Sequence, residues 1–123
     1  MTTEKLKGRI RQFGIRVMKM SDHMPKRYSA LVISKQIIRS ATSAGANYRA
    51  ACRSKSARDF INKMKIVEEE LDETEYWLGL IEEMEFLPPA KLTELRKEAN
   101  ELLSIIVKGI MTAKTNLNRK SHY

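Results

Sequence analysis

Five basic residues between positions 39 and 58 are the strongest candidates for binding chemistry in this sequence. The guanidinium fork of arginine matches the geometry of phosphate oxygens, and the lysine ammonium adds a compact positive charge. Several such side chains on one surface attract a nucleic acid by releasing its counterions, without reading its bases. The candidate nucleic-acid-binding residues are Arg39, Arg49, Arg53, Lys55 and Arg58. The structural alternative is a solvated helix face, or ion pairs between these residues and an acidic helix.

The distribution of charge favours a one-sided basic surface. The chain of 123 residues has a net charge of +8, and residues 1–58 carry 14 lysines and arginines against two acids. Residues 59–123 carry 9 basic residues against 13 acids. This asymmetry attracts a polyanion to one part of the molecule, and it also allows the acidic half of a neighbouring subunit to contact the basic half.

Reaction chemistry and metal binding have no matching pattern in the sequence. Six acids lie between Glu68 and Glu75, but the metal sites of helical bundles place a histidine three residues after a glutamate, and neither His23 nor His122 has that partner. Cys52 is the single cysteine, so there is no internal disulfide and no four-thiolate metal site. There is no glycine-rich phosphate loop and no nucleophile elbow. We predict a protein that is not an enzyme and has no cofactor.

The stretch from Ser56 to Phe86 is the element around which the other helices are expected to assemble. Its apolar residues alternate four and three apart, which is the seam of a long helix packed among other helices at a shallow crossing angle. The seam consists of Phe60, Met64, Val67, Leu71, Leu78 and Ile81, with Thr74 in the remaining slot.

Three further helices follow from the same spacing. The four helices are predicted at about residues 4–20, 30–51, 57–86 and 90–117. Thr3, Ser29 and Ser56 are the expected N-caps. The small residues of SATSAGA at positions 40–46 favour a close helix crossing over a linker. We predict a single all-α domain over residues 1–123, an antiparallel up-down-up-down four-helix bundle.

The third and fourth helices carry more apolar surface than one core stripe requires. The surplus residues are Tyr76, Trp77, Leu80, Met84, Leu103, Val107 and Met111. Because surplus apolar surface on a soluble chain usually finds a partner, we expect these residues to form a homo-oligomer interface. A wide core within one chain is the alternative.

Three motifs carry a resemblance to a known family. RSATSAGANYRAA at residues 39–51 is followed by S-x-x-D-F at residues 56–60 and by EELDETEYWL at residues 69–78. These strings resemble the four-helix-bundle proteins encoded in intervening sequences of bacterial large-subunit ribosomal RNA genes. Many relatives have Glu-Gly soon after the asparagine, where this chain has the tripeptide from Arg49 to Ala51, so a role of that glutamate does not carry over.

The resemblance implies an antiparallel bundle that assembles as a ring-like homopentamer. It also implies kinship with the accessory-variability proteins of diversity-generating retroelements, which are basic pentamers that bind nucleic acid and a reverse transcriptase. A reverse-transcriptase-like protein is therefore an implied partner. Most members of the family have no established activity, so the resemblance implies fold and assembly more than function.

The N-terminal segment and the apolar runs of the chain indicate where in the cell the protein is expected. Residues 1–13 lack the apolar segment of a signal peptide, and no later run approaches the roughly 20 apolar residues that span a bilayer. A lone thiol fits a reducing cytosol. We expect a cytoplasmic protein without a membrane partner.

The function that we expect is binding of RNA or DNA with weak sequence specificity. The alternative is a protein–protein interaction scaffold that does not bind nucleic acid.

Overall fold

The computed structural model describes residues 1–121 as four α-helices and a short 3₁₀ turn. The elements are α1 Thr3–Ser21, α2 Tyr28–Cys52, α3 Ala57–Glu83, the 3₁₀ turn Pro89–Lys91 and α4 Thr93–Ser121. Each helix packs on the next one along the chain, and α4 also contacts α1. The described residues therefore form the all-α up-down-up-down bundle that the sequence predicts.

The helix starts differ from prediction in two of three cases. Ser56 caps α3 as predicted, and its hydroxyl accepts a hydrogen bond of 3.1 Å from the backbone N–H three residues later. Thr2 caps α1 in place of Thr3, because the Thr2 hydroxyl accepts the corresponding bond at 3.2 Å. Arg27 precedes α2 with extended backbone and no side-chain cap, so Ser29 lies inside the first turn.

The end of α3 comes three residues earlier than predicted. Glu85 adopts a φ of 56°, in the left-handed region that reverses the chain at helix ends. The backbone N–H of Phe86 then donates to the carbonyl of Ile81 at 3.1 Å. Phe86 and Leu87 are buried in the connection instead of continuing the helix, so they cover part of the core.

The fourth helix is shifted toward the C-terminus relative to prediction. Pro89 starts the 3₁₀ turn and not α4 itself, and α4 begins at Thr93. A proline suits such a first turn because its missing N–H would have no partner there. The helix continues to Ser121, beyond the predicted end near residue 117.

The seam of α3 occupies the core, as its spacing predicts. Phe60 is half-buried against the core, while the neighbouring Ile61 is buried. The other predicted seam residues are all buried: Met64, Val67, Leu71, Thr74, Leu78 and Ile81. These side chains pack against the apolar stripes of the other three helices.

The small residues of α2 allow close contact on both sides of that helix. On the α1 side, a Cβ placed at Gly14 would lie 3.6 Å from the Ala41 carbonyl oxygen, so the two backbones are in contact. On the α3 side, the buried hydroxyls of Ser40 and Thr74 share a hydrogen bond of 2.8 Å. The segment 40–46 is thus a helix crossing, as predicted, and not a linker.

Arginine–glutamate pairs join the helices at three edges of the bundle. The pairs are Arg9 with Glu98 between α1 and α4, Arg39 with Glu70 between α2 and α3, and Arg96 with Glu75 between α3 and α4. Arg9 meets Glu98 in two hydrogen bonds of 2.9 and 2.5 Å. The hydrogen bond from Arg9 and the charge of Arg9 lower the pKa of the Glu98 carboxyl, against the opposing effect of burial.

Replacing the central seam residue of α3 should destabilise the fold strongly. We expect Leu71→Ala, at a fully buried position, to lower the free energy of unfolding by about 2–5 kcal/mol through lost burial and a residual cavity. Ile66→Ala is the matched control, because Ile66 is 41% exposed, and it should cost less than about 1 kcal/mol. Urea denaturation followed by circular dichroism measures both, and equal losses would contradict the assignment of the seam.

Acidification should weaken the fold partly through Glu98. Because its folded-state pKa lies below the ordinary value of 4.5, its contribution is present above about pH 4.5 and is lost as pH falls through the lowered value. We expect the free energy of unfolding of Glu98→Gln to fall less steeply below pH 4.5 than that of the native chain. Glu94→Gln, at an exposed position of α4 without an ion-pair partner among residues 1–121, is the control for removing one carboxylate.

Candidate nucleic-acid interface

The end of α2 and the start of α3 bring four of the five predicted basic residues to one corner of the bundle. Arg49 lies in the last turn of α2, Arg53 is its C-cap, Lys55 lies in the connecting turn and Arg58 lies in the first turn of α3. All four side chains are exposed. We call these four residues the basic corner.

No ion pair within residues 1–121 neutralises the positive charge of the basic corner. None of its four residues forms an ion pair with a described carboxylate. Asp59, the acid nearest in sequence, accepts from Lys63 at 2.7 Å. Glu4, which α1 brings near Arg49 and Arg53, pairs with Lys7 at 2.9 Å. The remaining acids of α3 begin at Glu68, more than two turns further along the helix.

Arg39 is separated from the other four candidates. It lies ten residues before Arg49, which is about 15 Å along the helix axis. Its guanidinium binds Glu70 at 2.9 Å and also binds Glu73, although the side chain stays 49% exposed. Hydrogen bonds from Trp77 and then Arg39 lower the pKa of the Glu73 carboxyl. Arg39 therefore links α2 to α3 through its ion pairs.

The first helix adds two cations that sequence reasoning did not include. Lys7 and Arg11 line a groove between α1 and α2 together with Arg49 and Arg53, and its volume is about 670 Å³. We call it the α1–α2 groove. The predicted antiparallel bundle could have indicated Lys7 and Arg11, because the N-terminal half of one helix must lie beside the C-terminal half of its neighbour.

A second groove, of opposite charge, lies between α3 and α4. Its volume is about 740 Å³. Its lining includes the acids Asp72, Glu75, Glu82 and Glu83, together with Arg96 and Tyr76. Arg96 bridges two of these acids, with contacts of 2.6 Å to Glu75 and 2.5 Å to Glu82. The two grooves therefore have opposite charge character.

The seven residues predicted at an oligomer interface differ in exposure. Tyr76, Met84 and Met111 are exposed by 59%, 52% and 62%. Four others are half-buried: Trp77, Leu80, Leu103 and Val107. Trp77 and Leu103 pack against the core, and the Trp77 indole N–H donates to Glu73 at 3.0 Å. Part of the surplus apolar surface thus widens the core, and the exposed remainder is available to a partner.

The thiol and the signature asparagine have local structural contacts. Cys52 is half-buried next to Tyr48, and burial, followed by the influence of Cys52, raises the pKa of Tyr48 to about 12. The amide of Asn47 donates to the Ser43 carbonyl at 2.9 Å and to the Ser43 hydroxyl at 3.0 Å, within one turn of α2.

A metal-binding cluster and a membrane-spanning helix are both absent from residues 1–121. Residues 1–121 contain no group of three or more histidine, cysteine, aspartate or glutamate side chains placed to hold a metal ion. His122 lies outside the described residues. None of the helices within that range combines the length and the apolar character needed to cross a membrane.

Comparisons with known proteins agree with the resemblance seen in the motifs. A crystal structure of a protein of unknown function from the S23 ribosomal protein family of Bacteroides thetaiotaomicron has 32% sequence identity and a TM-score of 0.83. The similarity covers 90% of this chain and 99% of that one. A search of curated proteins found no significant match. The model of the 23S rRNA-intervening sequence protein family matches residues 5–108, and the chain therefore belongs to that family.

Proposed function

We propose that this protein is a non-enzymatic, homo-oligomeric binding protein that holds RNA or DNA on the basic corner with weak sequence specificity. The observation that carries the proposal is the set of four exposed cations without a carboxylate partner among residues 1–121. Cations already paired within the fold would have to exchange one partner for another. Unpaired cations neutralise phosphates without first losing an ion pair within the fold, and the released counterions drive binding.

Weak specificity follows from the kinds of side chain at the basic corner. Arginine and lysine contact phosphates of any sequence, whereas base recognition requires groups that reach base edges or aromatic rings that stack on bases. Tyr48 is buried, and the exposed Tyr28 lies at the other end of α2. The proposed contact is therefore with the sugar-phosphate backbone, and we place it in the cytoplasm.

Assembly into a ring would multiply the affinity of one basic corner. The exposed side chains of Tyr76, Met84 and Met111 support an intersubunit contact on the acidic half, and a pentamer is the assembly that the family resemblance implies. Each copy would add its own basic corner to the same nucleic acid, which raises avidity without any new kind of contact.

A protein-interaction scaffold is the second candidate function. The groove between α3 and α4 supports it, because that groove combines acidic side chains with the exposed ring of Tyr76. Such a lining suits a basic protein segment with an apolar anchor. On this alternative the protein would not bind nucleic acid even at low salt.

Removing two charges from the basic corner should weaken binding to duplex DNA. We expect Arg49→Gln with Arg53→Gln to lower the affinity, and to make the slope of log K against log salt shallower by at least about 1.8, because two phosphate contacts are lost. Lys97→Gln with Lys108→Gln removes the same charge from exposed positions of α4 and serves as the control. Fluorescence anisotropy measures both, and equal slopes for the two double variants would contradict the assignment of the site.

Introducing charge on the exposed apolar residues should break the assembly. Light scattering of the native chain should give a mass of about five times the 14.2 kDa subunit. Tyr76→Glu with Met111→Glu should shift the mass toward one subunit, because burying two carboxylates at an interface is unfavourable. The control is Thr112→Glu with Asn100→Glu on exposed polar positions. A native mass of a single subunit would overturn the proposed assembly.

A further inference from the structure

We propose that the α1–α2 groove holds one strand of single-stranded nucleic acid by its phosphates, an inference that rests on the proposed function and names its substrate class. The groove is lined by Lys7 and Arg11 on one helix and by Arg49 and Arg53 on the other. Glu4 is the carboxylate in the lining, and its side chain is 82% exposed in the pair with Lys7. An incoming phosphate can replace such an exposed partner.

The cations form two rims of matching spacing. Lys7 and Arg11 are four residues apart, as are Arg49 and Arg53, so each rim presents two charges about 6 Å apart along the helix axis. That interval is close to the separation of neighbouring phosphates in an extended strand. A Cβ placed at Gly45 would lie 3.7 Å from the Ile10 side chain, so these two residues lie at the same level of the antiparallel helices. Lys7 is therefore near the level of Arg49, with Arg11 and Arg53 on opposite sides of that level.

Small residues shape the floor between the rims. Gly8, Gly45 and Ala46 line the groove, and a Cβ placed at Gly8 would meet nothing within 4 Å. Larger side chains at these positions would fill the space between the two rows of cations. The recess and the charge together, and not the small residues alone, define a place where a chain of phosphates can lie between the helices.

The dimensions favour a single strand over a duplex. The axes of packed helices are about 8–10 Å apart, so the recess between them admits one backbone, whereas a double helix would rest on the rims. Beyond the cations, the groove ends at Ile15 and the partly exposed Met18. Methionine sulfur packs well against aromatic faces, so this end of the groove suits an unstacked base.

Filling the floor without changing charge tests this inference. The variant is Gly8→Gln with Ala46→Gln, and the control is Asn100→Gln with Ser104→Gln on exposed positions of α4. Glutamine has good helix propensity, and circular dichroism verifies that both variants fold. Fluorescence anisotropy is measured with labelled oligouridylate, oligothymidylate, a duplex of mixed sequence, and an acidic polyglutamate peptide.

The expected result is that the native chain binds the single strands more tightly than the duplex. The native salt slope on single strands should be at least about 2.8 in magnitude, for four phosphate contacts in one groove. The floor-filled variant should lose at least about tenfold in affinity while the control does not. Preference for oligouridylate or for oligothymidylate identifies RNA or DNA as the source of the phosphates, and either supports the groove.

Three outcomes would overturn the inference, and they are distinguishable. If the floor-filled variant binds single strands as the native chain does, while the Arg49→Gln and Arg53→Gln variant is weakened, the groove fails and the basic corner stands. If the native chain binds none of the nucleic acids at low salt, the proposed function itself fails. If the polyglutamate peptide binds more tightly than the single strands, and filling the floor abolishes binding of the peptide, the groove is a protein-docking site.

Discussion

The close contact of α2 with both of its neighbours is the constraint on which the rest of the structure depends. Alanines and serines of α2 bring its backbone near to α1 and α3, with Gly14 against Ala41 on one side and Ser40 bonded to Thr74 on the other. A helix with large side chains along this stripe could not approach two partners so closely. The crossing sets the register of α1 against α2. That register brings Lys7 near the level of Arg49, and Lys7, Arg11, Arg49 and Arg53 line one groove.

Charge in this bundle is divided between pairs that join helices and cations that are left free at one end. Arg9, Arg39 and Arg96 each bind glutamates of another helix. Partly exposed pairs of this kind contribute little stability individually, but like charges at the same edges would oppose the packing. Because the acids of α3 are concentrated beyond Glu68, they lie too far along the helix to neutralise the basic corner.

Much of this architecture could be predicted from the sequence, because the apolar residues that become buried recur with the period of the α-helix. The seam of α3 from Met64 to Ile81 is buried as its spacing predicts, and Ser56 caps the helix. The end of α3 was missed because the left-handed backbone of Glu85 is set by the buried packing of the residues that follow, which no local pattern indicates. Thr2 and Thr3 are chemically equivalent caps, so only the structure distinguishes them.

The candidate site was less predictable than the fold. Sequence reasoning grouped Arg39 with the basic corner because it compared residue types along the chain, whereas the direction of each side chain around α2 decides which helix it meets. Arg39 meets the acids of α3, and Arg49 faces α1. Lys7 and Arg11 were not included because they are distant in sequence, although the antiparallel pairing of α1 and α2 places them at the same groove. Ion pairing is a tertiary property, and it becomes visible only once the helices are assembled.

Chemical footprinting of lysines is the most direct test of the claim that the cations of the basic corner and of the α1–α2 groove hold a polyanion. The native protein is acetylated with and without a single-stranded RNA, and the modification of each lysine is followed by mass spectrometry. RNA should protect Lys7 and Lys55 from acetylation and leave Lys97 and Lys108 on α4 as reactive as before. Protection of the α4 lysines with Lys7 and Lys55 unchanged would contradict this assignment of the binding surface.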